Sequence, residues 1–105
     1  MMVILFRSRL TDAAGEDYAR MTEIMGTHAA AFPGFVAVKS FTADDGERLT
    51  VVWWQDEATL EAWASDAKHR IAQNIGRERW YEYYRMDVAQ VVRVSNFDRP
   101  RTVDQ

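Results

Sequence analysis

The residues best placed to do chemistry lie between Trp54 and Tyr84, in the stretch WQDEATLEAWASDAKHRIAQNIGRERWYEYY. It carries three of the four Trp, three of the four Tyr and one of the two His. Large aromatic side chains are costly to leave in water and lose little entropy when fixed, so such a cluster builds a core or lines a pocket. An imidazole among them is the side chain that gains or loses a proton near neutral pH without help. The stretch is therefore either packing alone or a small apolar site with one proton-handling group, His69.

Trp63 and His69 stand six residues apart, across a break between two short helical segments. On the second segment His69, Ala72, Gln73 and Gly76 share a stripe, so His69 either faces the gap between helix and sheet or makes one hydrogen bond at the surface. His28, just before Ala29-Ala30-Ala31-Phe32-Pro33, reads as a packing or helix-end residue. In extended chain, Trp80, Glu82 and Tyr84 fall on one face and Tyr81 and Tyr83 on the other. This run belongs to a core or a subunit seam, or else a buried Tyr hydroxyl holds a substrate oxygen. Arg7 and Arg9 share a face of the first strand, as rim residues or as donors to a phenolate or carboxylate.

Those side chains need elements to hold them. Residues 2–10 (MVILFRSRL) are β-rich and apolar, a first strand. Thr11 or Asp12 caps a helix from Ala13 to about Ala31, in which Tyr18, Met21, Met25, His28, Ala29 and Phe32 keep three-to-four spacing. Pro33-Gly34 ends it, and Phe35–Phe41 is a second strand. Asp45-Gly46 marks a hairpin turn into Leu49–Trp54, the third strand. Asp56 caps a helix over 57–64, Ser65 or Asp66 caps another over 66–75, and Gly76 closes it. Residues 77–85 link to a last strand near 86–95. Residues 1–95 make one domain, and 96–105 form a polar tail.

The order β-α-β-β-α-β predicts an α+β, ferredoxin-like fold with one antiparallel sheet and helices on one face. Both faces of the strands are apolar. Leu49, Val51 and Trp53 oppose Val52 and Trp54, and Val3 and Leu5 oppose Ile4, Phe6 and Leu10. A sheet with one wet face would alternate apolar with polar residues. The second face is expected to close on a second copy, giving a homodimer in which two sheets form a barrel.

Composition narrows the function. The chain has 105 residues, 48% hydrophobic, with a net charge of −3, so it has no electrostatic footprint for nucleic acid or an anionic membrane. It contains no cysteine, which removes disulfides, thiolate nucleophiles and Cys-ligated metals. Its glycines are scattered and form no phosphate-binding loop, and no His or carboxylate spacing suits a metal. No apolar run approaches a membrane span, and Met2–Phe6 is too short for a signal peptide core. A cytoplasmic protein that uses neither metal nor nicotinamide is the expectation.

Several segments together resemble the antibiotic biosynthesis monooxygenase (ABM) superfamily of dimeric α/β barrels, over about residues 2–94. They are Phe32-Pro33-Gly34-Phe35, Val52-Val-Trp-Trp-Gln-Asp-Glu-Ala58, the Trp54/Trp63 spacing, Asp66-Ala-Lys-His69-Arg-Ile-Ala72 and the aromatic run before the last strand. The resemblance implies an enzyme that oxidises a small aromatic or quinone-like molecule with O2, without metal or flavin. On that reading Trp63 is a pocket wall, His69 a base or orienting donor and Tyr83 or Tyr84 a hydroxyl donor, while Arg9 holds an anion. Trp80 and Phe35 complete the substrate-binding set. The superfamily also includes haem-degrading monooxygenases, with an Asn on the first strand, a Trp on the helix after the third strand and a haem-ligating His. Trp63 matches the Trp, whereas Ser8 and Gln73 stand at the other two positions, with His69 a turn before the latter. A dimer that only binds a small apolar ligand is the third reading.

Overall fold

The computed structural model describes residues 1–100. Four strands, β1 (Met2–Leu10), β2 (Phe35–Thr42), β3 (Arg48–Trp54) and β4 (Tyr81–Gln90), form one antiparallel sheet in the order β2-β3-β1-β4. Three helices, α1 (Glu16–Ala30), α2 (Glu57–Ala64) and α3 (Ala67–Ile75), alternate with them, and a π-helical turn (Gly76–Trp80) joins α3 to β4. This is the α+β, ferredoxin-like arrangement that the order of apolar segments predicts.

Strand parity decides which side chains meet the helices. Ile4 pairs with Val52, and Met2 with Trp54. These side chains belong to a core cluster of Ile4, Ala29, Trp54, Leu60 and Trp63, packed against Met25, Phe32 and Phe35. The other parity sets Val3 opposite Trp53 and Leu5 opposite Val51 on the far face. Of that second set only Val51 is fully buried, and Val3, Leu5, Leu49 and Trp53 stay half-exposed.

Local chemistry fixes the connections. Asp56 caps α2, its carboxylate accepting from the Thr59 amide while the Thr59 hydroxyl oxygen accepts from the Asp56 amide. Asp66 caps α3 by accepting from the His69 amide. Gly34 follows Pro33 with φ at +88°, and a Cβ there would run into the Thr59 side chain, so only glycine fits this turn.

Three boundaries depart from the sequence reading, each for a tertiary reason. Helix α1 begins at Glu16 rather than Ala13, with Gly15 at its cap, because Thr11 is engaged elsewhere. The Thr11 hydroxyl donates to the Arg79 carbonyl and its amide to the Trp80 carbonyl, tying the end of β1 to the π turn. Gly76 caps the end of α3 as expected, but in right-handed helical conformation, so the chain runs on into the π turn. Strand β4 begins at Tyr81 and stops at Gln90, not at 95, because Gln90 already opposes Met2 and Val91 bonds the Met1 carbonyl. Finally, Leu10 pairs with Tyr81 but Arg9 with Tyr83, so Glu82 is the extra residue of a bulge. Of the expected tail, residues 96–100 form neither helix nor strand, and 101–105 lie outside the described residues.

Candidate active site

Between α1, α3 and the sheet lies a cavity of about 360 Å³, within the range of small-molecule sites. Its floor is the helix-facing row of the sheet: Ile4, Phe6 and Ser8 of β1, Thr50 and Val52 of β3, and Met86 of β4. Tyr18, Met21 and Met25 of α1 and His69 and Gln73 of α3 lie above it. The lining is mostly apolar, and among the described residues neither aspartate nor glutamate contributes to it.

His69 lines this cavity and stacks on Trp63, with ring centres 4.5 Å apart and planes 27° apart. Trp63 stacks in turn on Trp54, 5.9 Å away, which is fully buried. The imidazole is thus the open end of a stack rooted in the core. Burial pushes its pKa below the ordinary 6.5, because the imidazolium would lose hydration; the Trp63 carbonyl and the charge of Asp66 oppose that shift more weakly. Its Nδ1 is buried with no well-aligned hydrogen-bond partner among the described residues. At neutral pH His69 is therefore the uncharged ring, able to accept a proton.

Asp66 sets the position of that ring from below. One of its oxygens, Oδ2, accepts both from the His69 amide at 3.1 Å and from His28 Nε2 at 2.8 Å. His28 packs against Phe32 and Trp63 as well. The sequence marks His28 as a packing residue; its contact with Asp66 is a tertiary fact, spanning 38 positions.

The remaining expected site residues divide by strand parity. Trp80, Tyr84 and Phe35 line the cavity. Trp80 is buried, its Nε1 donating to Asp17 Oδ2 at 3.2 Å, and the Tyr84 hydroxyl accepts from Arg77 Nε at 3.2 Å. Tyr83 and Arg9 do not line it. They pair with each other on the opposite parity: the Tyr83 hydroxyl donates to Glu47 at 2.6 Å, and the Arg9 guanidinium donates to the Asp45 carbonyl. Of the two expected hydroxyl donors Tyr83 is thus turned away from the cavity, with Arg9, while Tyr84 faces it. The bulge at Glu82 puts Tyr81 in Tyr83's stead, beside Tyr84 and against Phe6. Burial raises the Tyr81 phenol well above its usual value, so it stays a neutral donor.

Arg48 is the lining residue that sequence reasoning missed. It opens β3 on the same parity as Val52 and Trp54, and its guanidinium carbon lies 5.7 Å from the centre of the Tyr18 ring. The signal was present: alternation along RLTVVWW sets this arginine on the helix-facing side. Among the described residues no group of three or more His, Cys, Asp or Glu is gathered as metal ligands. No described helix is long and apolar enough to cross a membrane.

No family model matches the chain. The uncharacterised protein YqjZ of Bacillus subtilis is 37% identical over 76 residues, covering 72% of this chain and 67% of its own length. A protein of Pyricularia oryzae named jasmonate monooxygenase ABM is 30% identical across 99% of this chain, which spans about half of it, 51%. Among solved structures, SnoaB of Streptomyces nogalater, described as a cofactor-independent oxygenase, superposes with a TM-score of 0.73. The match covers 89% of this chain and 94% of SnoaB at 12% identity, a likeness of fold.

Proposed function

Since the chain belongs to the antibiotic biosynthesis monooxygenase superfamily, we propose that it oxidises a small aromatic or quinone-like molecule with O2, using neither metal nor flavin. The observation that carries this reading is the uncharged imidazole of His69, stacked on Trp63 in the wall of an apolar cavity. Such a site suits a phenol whose own ring supplies the electrons. The phenol proton passes to His69, and the phenolate is the reductant. Two of its electrons go to O2 as a carbon–oxygen bond forms at a ring carbon that bears hydrogen. The resulting peroxide takes the proton back from His69. Loss of that carbon's hydrogen together with hydroxide, as water, leaves a quinone, so one oxygen atom enters the product and the other leaves as water. Trp63 and Phe6 present flat apolar surface to the ring, and the Tyr81 hydroxyl is a donor for developing negative charge. The names of the Pyricularia relative and of SnoaB agree with this class of reaction.

The test is O2 uptake with an activated naphthol. The native chain is expected to consume one O2 per quinone formed, and His69→Ala to lower the rate by about 100-fold or more. Uptake that ignores both His69→Ala and Trp63→Phe would remove these residues from the chemistry. Stabilisation by the naphthol with no turnover would point instead to a ligand-binding protein.

Haem degradation has less support. Gln73 lines the cavity where the resemblance calls for a ligating His, and His69 presents its ring face to Trp63 at 4.5 Å. A cavity of about 360 Å³ is also small for a tetrapyrrole.

The working unit on this reading is a homodimer closed over the far face of the sheet. Support comes from the half-exposed row of Val3, Leu5, Leu49 and Trp53 and from the segment after β4, where Val92, Val94 and Phe97 are all exposed. The Cα radius of gyration, 16.0 Å, exceeds the roughly 13 Å of a compact chain this long. Exposed apolar residues on a projecting segment are what a second copy would cover.

A further inference from the structure

We propose that the substrate is an amphipathic acid, with an apolar ring system at the His69 end of the cavity and a carboxylate at the opposite end, held by Arg48, Ser8 and Tyr84. The inference rests on the reading of the cavity as a substrate site and adds the chemical class that site would select.

Charge is the first argument. Among the described residues Arg48 is the one permanent charge in the lining, and no carboxylate lines the cavity to neutralise it. Arg7, Arg9, Arg20 and Arg79 each have a carboxylate partner, whereas Arg48 has none among the described residues. Its neighbour on the cavity side is instead the Tyr18 ring, which steadies the guanidinium by its face and leaves the donor fork unsatisfied. A planar guanidinium with free donors beside an apolar cavity is matched to a carboxylate, which takes two parallel hydrogen bonds.

Strand register is the second. Ser8 of β1 is paired with Arg48 of β3 on one side and with Tyr84 of β4 on the other. All three point into the cavity, so they form one transverse row across three strands. Ser8 is 3% exposed, and its hydroxyl makes no hydrogen bond to another described residue. That hydroxyl lines the cavity and can donate to an anion beside Arg48. The Tyr84 hydroxyl accepts from Arg77, which leaves its own proton free to donate.

Distance is the third. The Ser8 row and the Ile4 row, which meets Trp63 in the core, are four residues apart on β1, about 13 Å at strand rise. A base at one end and a cation row at the other fit a molecule whose reacting ring and acid group are separated by several bonds. The anion fixes the ring against His69 without entering the reaction.

Isothermal titration of the full chain with 4-(1-naphthyl)butanoate and with its primary amide tests this without any turnover. The acid is expected to bind about tenfold or more tightly than the amide at neutral pH, as a charge-assisted pair gives. The advantage should vanish in Arg48→Met, shrink in Ser8→Ala and partly return in Arg48→Lys. Equal affinity for acid and amide in the native chain overturns the proposal, as does an acid preference that survives in a folded Arg48→Met. The comparison of acid with amide in the native chain needs no variant, so a poorly folding substitution leaves the test intact. Acid preference without O2 uptake on any ring-hydroxylated acid would sink the monooxygenase reading alone, and O2 uptake without acid preference would sink this one alone.

Discussion

His69 gets its character from what surrounds it. Burial above the sheet lowers its proton affinity, stacking on Trp63 orients the ring, and Asp66 fixes the backbone from which it projects. The sign of that shift makes a prediction. A base whose pKa is below 6.5 stays competent to a lower pH than a free histidine, so the acid limb of kcat/KM against pH is expected below 6.5. A limb at or above 6.5 would mean that another group, or a protonated His69, governs the reaction. His28 is a positioning residue in the same chain of contacts. The sequence displays both histidines equally plainly. It does not display that they meet at one carboxylate, because 38 positions separate His28 from Asp66 and only the packing of α1 beside α3 closes that distance.

The helices and strands were legible wherever a local signal set them. Apolar periodicity placed α1, α2 and α3; Asp56 and Asp66 marked two helix starts; and Gly46, with φ at +90°, turns the hairpin that Asp45-Gly46 announced. What escaped was set by a partner strand or ring. The bulge at Glu82 is a property of the β1–β4 pair, so no reading of β4 alone would have put Tyr81 and Tyr84 together. Gly76 is the clearest case. It reads as a helix stop, yet its φ is −58°, and its lack of a side chain serves Tyr81: a Cβ there would lie 2.5 Å from the ring. Gly76→Ala should therefore displace Tyr81 and destabilise the fold by about 1–3 kcal/mol, although alanine is the better helix former. Chemical denaturation reads this out, and a neutral or stabilising effect would show that the ring yields freely.

The unpartnered face of the sheet makes its own prediction. Leu5 sits in the middle of that face, opposite Val51 and away from the cavity. The native chain is expected to sediment at twice the monomer mass, and Leu5→Asp as a folded monomer. A native monomer, or a Leu5→Asp variant that still pairs, would show that the face is not the seam. From composition and periodicity the chain specified its layers, the order of its elements along the sequence and the apolar character of both sheet faces, because burial acts on every residue through spacing along its own element. Which side chains share the cavity was settled across elements. One extra residue in a strand pair turned Tyr83 and Arg9 away and brought Tyr81 in, and cross-strand register set Arg48 beside Ser8. Such pairings depend on contacts between distant segments, and spacing within any one segment carries no record of them.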